Sequence, residues 1–378
     1  MSRRSLRFSL VFAPCVLIGC GQHSTDTTPD PRRSETAGAS NGGSANDGGS
    51  GNLHLNLAGD GGASFDAGSA DLGTCDGARA AKSTVACDYY ALHPLGFSGM
   101  PQSGSDLSGS CYAAYLANTS PGPVDIHVEH RGQSLDVSKF ARIPSGEGAT
   151  LSYAPLPGGQ LPPGEVAILF LSSVITTADP AVVPCPSGID VAVPLDAKRP
   201  VDPSTASLSG AFHVTTSAPV VAYDFFPYGG GSTAIASASL LLPTTAWGSN
   251  YIGVDAYQGY QPWIAIVASE DDTRVDLVPT ADIAPNGAQR GVLKGQTGSF
   301  TLARGETLRL VQGLGTVPST ELNGTVVQAN HPIGMWGGSN GMCIPTDYEA
   351  CDLAHQQVPP VSALGSEYVA VRYRNRYD

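Results

Sequence analysis

Val214-Thr-Thr-Ser-Ala-Pro219-Val220 and Val327-Gln-Ala-Asn-His-Pro332-Ile333 are one short phrase written twice. Each runs from a β-branched residue through small and polar residues to a proline, resumes on a β-branched residue, and leads into a glycine-rich stretch that reads as a loop. Three other matched pairs keep the same order around it. Val124-Asp125-Ile126-His127-Val128 follows a polar turn, as does Val275-Asp276-Leu277-Val278. Leu161-Pro-Pro-Gly164-Glu165 precedes an apolar run, as does Leu302-Ala-Arg-Gly305-Glu306. Leu242-Pro243, Trp247-Gly248 and Tyr251-Ile-Gly-Val254 match Pro359-Pro360, Leu364-Gly365 and Tyr368-Val-Ala-Val371. One such match is commonplace, but four in series predict a duplicated β-unit of about 115 to 150 residues, with the spacing differences carried by loops.

The intervening runs are strands by composition. Val166 to Leu171, Val220 to Tyr223, Trp263 to Val267, Thr307 to Val311 and Tyr368 to Val371 are short, rich in β-branched or aromatic types, and bounded by Gly, Pro or Asn. No convincing helical window is longer than two turns, since Gly or Pro interrupts almost every candidate. With 46 Gly, 29 Pro and only 14% charged residues, the chain reads as all-β. A β-sandwich-like packing of the duplicated units is the first architecture expected and a propeller-like ring the alternative, because both dispose of exposed strand edges. Acidic residues number 33 against 20 basic ones, a balance that repels phosphate backbones and argues against a nucleic-acid partner.

The N-terminus carries an address. Arg3, Arg4 and Arg7 precede an apolar run from Phe8 to Ile18, too short for the roughly 20 residues that a membrane-spanning helix needs. Leu17-Ile18-Gly19-Cys20 resembles the lipobox of bacterial lipoproteins, which implies cleavage before Cys20 and acylation of its thiol. Residues 1–19 are then a signal peptide. Residues 20–74, the lipidated cysteine and a Gly/Ser/Asn/Asp-rich stretch, form a tether that cannot bury enough apolar surface to fold. As a coil of about 54 residues it spans roughly 40 Å. Gly21, where an aspartate would signal inner-membrane retention, points to the outer membrane or cell surface. The remainder, 75–378, divides into two related units at about 255/256. The second copy stops at Tyr368 to Val371, whereas in the first the matching strand leads on to Trp263, so the chain reads as a shortened form of a longer protein.

Six cysteines remain in the folded part: Cys75, Cys87, Cys111, Cys185, Cys343 and Cys351. In an exported chain they read as up to three disulfides, with about fifteen connectivities. Cys343–Cys351 closes a compact loop, Cys75–Cys87 is a local pair, and Cys111–Cys185 is the remainder. No closely spaced Cys or His pair suggests a metal, and no nucleotide or cofactor fingerprint is present. Gly337-Gly338-Ser339-Asn340-Gly341 fits the G-x-S-x-G elbow formally, but Pro345 spoils the helix that the elbow requires, so Ser339 reads as part of a glycine-rich connection. Neither His331 nor His355 is spaced to serve it as a base. Glu270-Asp271-Asp272 reads as a hairpin turn and not as a calcium loop, since its carboxylates are adjacent and do not alternate.

The run Ala329 to Gly338, then Cys343, Cys351-Asp-Leu-Ala-His-Gln356, Pro359-Pro-Val-Ser362 and Gly365-Ser-Glu-Tyr-Val369, resembles the N-terminal domain family of IgGFc-binding protein. Ala268 to Thr273 and Leu302 to Thr307 resemble it too, and the likeness extends from about Cys87 to Tyr377. It implies an extracellular binding or adhesion module, with no defined ligand-contacting residues to carry over. The expectation is a lipid-anchored envelope protein, not an enzyme, that recognises a protein or glycan through loops on a β-scaffold. An exported hydrolase with a dispersed site and a structural envelope component are the alternatives. The aromatic patches expected to make contact are Tyr223 to Gly231, Tyr257 to Trp263 and Trp336 to Cys343. The N-terminal reading is testable directly: Cys20→Ser should abolish acyl labelling and lipoprotein-type processing in metabolically labelled cells, and a mutant that still partitions into detergent like the parent refutes it.

Overall fold

The computed structural model describes residues 72–94, 107–177, 182–195, 210–230, 236–256, 261–285, 289–312, 321–343 and 351–371. The predicted signal peptide, Cys20 and nearly all of the predicted tether lie outside them, as do the side chains of Cys343 and Cys351. Among the described residues two short helices, α1 (Cys75–Ala80) and α2 (Val137–Phe140), accompany eighteen strands. The first group is β1 (Ala86–Ala91), β2 (Tyr112–Asn118), β3 (Val124–His130), β4 (Gln133–Leu135), β5 (Ala141–Ser145), β6 (Ser152–Pro155), β7 (Gln160–Leu161), β8 (Val166–Val174), β9 (Val193–Leu195), β10 (Phe212–Phe226) and β11 (Ser237–Leu240). The second is β12 (Gly248–Ile252), β13 (Pro262–Ala268), β14 (Thr273–Val278), β15 (Gly298–Leu302), β16 (Thr307–Val311), β17 (Val326–Cys343) and β18 (Cys351–Val358).

The all-β reading holds, and the two sheets share a plan. One runs β4-β3-β10-β2-β8-β5-β6 with β1 and β11 also on β10; the other runs β15-β14-β17-β13-β16 with β12 and β18 also on β17. One curls into a half-barrel and the other nearly closes. In each, a long strand belongs to two layers. The first part of β10 pairs with β1 and β3 and the last part with β2 and β11. In the same way β17 goes from β12 and β14 to β13 and β18. Since β12 already belongs to the second sheet, the division between sheets falls between Leu240 and Gly248, a little ahead of 255/256.

The change of layer happens at the repeated phrase. Register passes from Asp88/Thr215 to Ala86/Val220, and from Asn250/Gln328 to Gly248/Ile333. In both cases the long strand bulges by the same amount, with Pro219 or Pro332 inside the bulge. Proline has no N–H to offer a ladder, so an interrupted register is where a strand tolerates it. One tyrosine repairs each bulge. The Tyr89 hydroxyl accepts from Ala86 N–H at 2.8 Å and lies 2.6 Å from the Val220 carbonyl, its nearest acceptor. The Tyr251 hydroxyl accepts from Gly248 N–H at 3.1 Å and donates to the Ile333 carbonyl at 2.6 Å. Both rings are buried, and burial pushes the Tyr251 hydroxyl up to about 12.

Burial explains the sequence patterns. In β3, valine and isoleucine face the core while Asp125 and His127 face solvent, giving the alternation seen in the sequence. β13 is buried throughout. Ile264 and Ile266 enter the second sheet's own core, whereas Trp263, Ala265 and Val267 join a core shared with the first sheet. A strand covered on both faces reads as an uninterrupted apolar run.

Two expectations are corrected. The glycine-rich stretch from Gly334 to Gly341 is strand and not loop. A Cβ at Gly334 would sit 2.4 Å from the Trp247 ring, and one at Gly338 would sit 2.6 Å from Trp263. The glycines are there because neighbours press on that strand. Conversely, Tyr368 to Val371 forms no strand among the described residues and is exposed.

Disulfides join Cys75 to Cys87 and Cys111 to Cys185. The first ties α1 to β1; the second ties the start of β2 to the segment before β9. The backbones of Cys343 and Cys351 are register partners across β17 and β18. The corner interaction makes a stability prediction. Tyr251→Phe strips the partner from a buried carbonyl and a backbone N–H while leaving packing intact, and should cost about 1–3 kcal/mol in urea unfolding; a change near zero would show that the hydroxyl is dispensable.

Candidate functional site

Three hairpin turns converge where the sheets meet. The β3–β4 turn supplies Arg131 and Gly132, both with positive φ, and Glu129 precedes them on β3. From the second sheet the β13–β14 turn brings Asp271, and the β15–β16 turn brings Arg304 and Gly305. The sheets touch through backbone here: Ala211 N–H donates to the Gly305 carbonyl at 2.9 Å, and Gly210 bridges to Glu306. Together with Tyr90 and His213 these residues line a cleft of about 290 Å³, and a neighbouring hollow of about 310 Å³ shares Arg131, Arg304 and Gly305.

His213 is the centre of the charge cluster. Its Nε2 lies 2.9 Å from Asp88 Oδ1, and its Nδ1 lies 2.8 Å from the Arg304 guanidinium. A guanidinium only donates, so Nδ1 accepts from Arg304 and Nε2–H donates to Asp88. Glu129 is 3.5 Å from the same Nδ1 and 3.4 Å from Arg304. Tyr90 stacks on the His213 ring with centroids 4.5 Å apart, and its hydroxyl takes a bond from Arg304 Nε at 3.4 Å. That bond to Tyr90, followed by the attraction of Tyr90, Glu129 and Asp88, raises the Arg304 pKa above its ordinary value. Asp271 holds the Arg304 backbone N–H at 2.9 Å. With both ring nitrogens occupied and no nucleophile against it among the described residues, His213 is built to hold charge in place. The cleft offers guanidinium, carboxylate and aromatic edges to a polar ligand.

A second cluster lies buried between the sheets. Asp224 of β10 and His355 of β18 are both fully buried and 2.8 Å apart, and Tyr112 of β2 donates to the other Asp224 oxygen at 3.0 Å. Arg309 of β16, also buried, donates to the His93 carbonyl at 2.7 Å. Two serine hydroxyls of β11 accept from β18 amides: Ser237 from His355 at 3.2 Å and Ser239 from Gln357 at 3.1 Å. These bonds fix how the sheets face each other.

The residues singled out in the sequence fall mostly elsewhere. Ser339 is buried, and its hydroxyl is tied to the backbone of Gly341. His331 pairs with Glu270 at the surface, and His355 belongs to the buried cluster. Among the aromatic patches, Phe226, Tyr228, Trp263 and Trp336 are core residues, Tyr223 is partly exposed, and 257–260 lie outside the described residues. Asp88, Glu129, His213 and Arg304 carry no local motif, and only the fold brings them together. Among the described residues no helix is long and apolar enough to cross a membrane.

The fold and the cleft define an all-β protein of two like-built sheets with a polar site at their seam. Residues 237–378 match the family described as IgGFc binding protein, from the first residue of β11 onward. The resemblance seen in the sequence therefore holds over the second sheet and the segment leading into it. No curated protein matches the chain. Among solved structures, an anti-sigma factor domain-containing protein aligns at 9% identity with a TM-score of 0.11 over 74% of this chain and 83% of its own, too slight a likeness to carry an argument.

The buried cluster predicts a pH response. His93 donates from Nδ1 to the Pro94 carbonyl at 2.7 Å, and burial, with Arg309 and His355 adding to it, pushes its pKa from 6.5 down to about 3. The folded ring stays neutral where the unfolded one takes a proton. The stabilisation is complete above 6.5 and is lost as pH falls toward 3, at a slope on the order of 1 kcal/mol per pH unit. Urea midpoints between pH 7 and pH 4 should fall less steeply in His93→Gln than in the parent; parallel curves would contradict the assignment.

Proposed function

We propose that this protein is a non-catalytic binding protein of the bacterial cell envelope, held by acyl chains on Cys20 and projected by its tether, and that its ligand is a protein or glycan met at the seam cleft. The family match over 237–378 carries the reading, since the family's description is that of a binder. That description speaks of the Fc part of IgG; the element carried over to this chain is a polypeptide ligand. The cleft supports the reading through its chemistry. Arg304 and Arg131 suit carboxylate or backbone carbonyl acceptors, Glu129 and Asp271 suit amide or hydroxyl donors, and the turns that carry them are fixed to rigid strands. Gly21 after Cys20 supports an outer-membrane or surface position, and protease shaving of intact cells tests it.

The binding test uses the full chain. Panels of envelope proteins, immunoglobulin Fc and surface glycans should yield a partner whose affinity drops at least about tenfold in Arg304→Glu, the scale of one lost charge-assisted contact together with a reversed charge. Ser339→Ala should bind as the parent does. A partner indifferent to Arg304→Glu moves the site away from the cleft. Turnover of an ester, peptide or glycan that vanishes in Ser339→Ala replaces the reading with a hydrolase.

A further inference from the structure

His213 has a ring on one side and a carboxylate on the other: Tyr90 of β1 and Glu129 of β3 are its register partners. Arg304 reaches in from the second sheet, which leaves the imidazole Nδ1 between two groups of opposite kind. Arg304 Nη2 lies 2.8 Å from it, and Glu129 Oε2 lies 3.5 Å from it. The other ring nitrogen has no such choice. Nε2–H meets Asp88 Oδ1 at 2.9 Å, a contact that stands whether or not the ring carries a second proton. Without a proton Nδ1 accepts from the guanidinium; with one it donates, and Glu129 is there to accept. Arg304 Nη2 depends on both groups, since it also lies 3.4 Å from Glu129. The remaining anchors of Arg304 are indifferent to the change. Burial raises the Tyr90 pKa, so that hydroxyl keeps its proton and goes on accepting from Arg304 Nε, while Asp271 holds the Arg304 backbone N–H.

Each element beside the ring brings charge to it. From β1 comes Asp88, and from β3 comes Glu129, with His127 exposed one register step beyond, opposite Thr215. The turns of the cleft bring Arg131, Asp271 and Arg304. Two guanidiniums thus face three carboxylates, and one more proton evens the count. The His213 side chain is 12% exposed and its ring is stacked on Tyr90, so a proton changes its partners without releasing it into solvent. We propose that His213 is a proton switch on the seam cleft, a regulation that rests on the binding reading given above. On taking a proton the ring turns from Arg304 to Glu129, and Arg304 Nη2 loses both of its contacts at once. The guanidinium stays on Tyr90 through Nε and presents its outer nitrogens to a carboxylate of the polypeptide ligand, the partner that suits it best. Acid therefore tightens the grip of the cleft on an acidic ligand, and by linkage the bound ligand tightens the grip of His213 on its proton.

The first test needs no ligand. In the full chain with nitrogen-15 in its histidines and arginines, titrated from pH 8 to pH 5, the His213 Nδ1 signal should pass from an acceptor nitrogen to an N–H. Nε2 should remain an N–H, and the Arg304 Nε–H signal should move with the same midpoint. His213→Gln assigns the ring and should hold the Arg304 signal still across the range. Glu129→Gln takes away the partner of the protonated form, so the ring should bind its proton at least about threefold more weakly. An Nδ1 that takes no proton by pH 5, an Arg304 signal that ignores the ring, or a proton held as tightly in Glu129→Gln each overturns the switch. The second test uses a partner whose binding is sensitive to Arg304→Glu. It should bind the parent at least about threefold more tightly at pH 5.5 than at pH 7.5, and His213→Gln should erase that ratio; the same ratio in both overturns the coupling to binding. Failure to find any such partner refutes the binding reading alone, because the ligand-free titration decides the switch by itself.

Discussion

A single phenolic hydroxyl holds the bend on which each sheet depends. A strand that leaves one layer for another must break its ladder, and each break strands backbone groups away from water, where an unpaired one costs about 1–3 kcal/mol. Tyr89 and Tyr251 settle both sides of that break with one oxygen, accepting from the short strand and donating to the long one. Proline inside the bulge removes one donor that would otherwise need a partner. Only with the bend in place can β10 and β17 each take four neighbouring strands, which is why one long strand organises each sheet.

The seam between the sheets is unusual in what it buries. Apolar packing from β13 supplies the common core, but an aspartate, two histidines, a tyrosine and an arginine sit inside it. Apolar surfaces alone would let the sheets slide over each other, because hydrophobic contact is non-directional. The Asp224–His355 pair and the Arg309–His93 bond admit one arrangement, since any other leaves a charge buried without its partner. The serine hydroxyls of β11 do the same at the edge, taking amides of β18. The polar seam thus sets orientation while the core sets adhesion.

Strand content and duplication were legible in the sequence because both follow from local pattern: short β-branched runs, and a proline phrase written twice. The glycines of β17 misled for a physical reason. Glycine in a strand records pressure from outside, here the rings of Trp247 and Trp263, and a sequence shows the gap without showing what fills it. Tyr368 to Val371 misled in the opposite sense, since its composition is that of a strand while no strand pairs with it among the described residues. The cleft was invisible. Asp88, Glu129, His213 and Arg304 lie far apart in the chain, and each alone reads as an ordinary solvated charge. They come together because turns at the same end of two like-built sheets converge, which no local window contains.

Corner and cleft are also one mechanical object. Tyr89 and Tyr90 are consecutive on β1, and in a strand consecutive side chains point to opposite faces. One face carries the hydroxyl that locks the bend of β10; the other carries the ring stacked on His213 in the cleft. The Cys75–Cys87 disulfide holds the same strand two residues before Tyr89. The position of the Tyr90 ring, and through it of Arg304, is therefore set by the interaction that shapes the first sheet, while Arg304 itself hangs from a turn of the second. A ligand gripping the cleft meets side chains whose spacing is fixed by both sheets at once, so the rigidity of the site comes from the bend and the seam together.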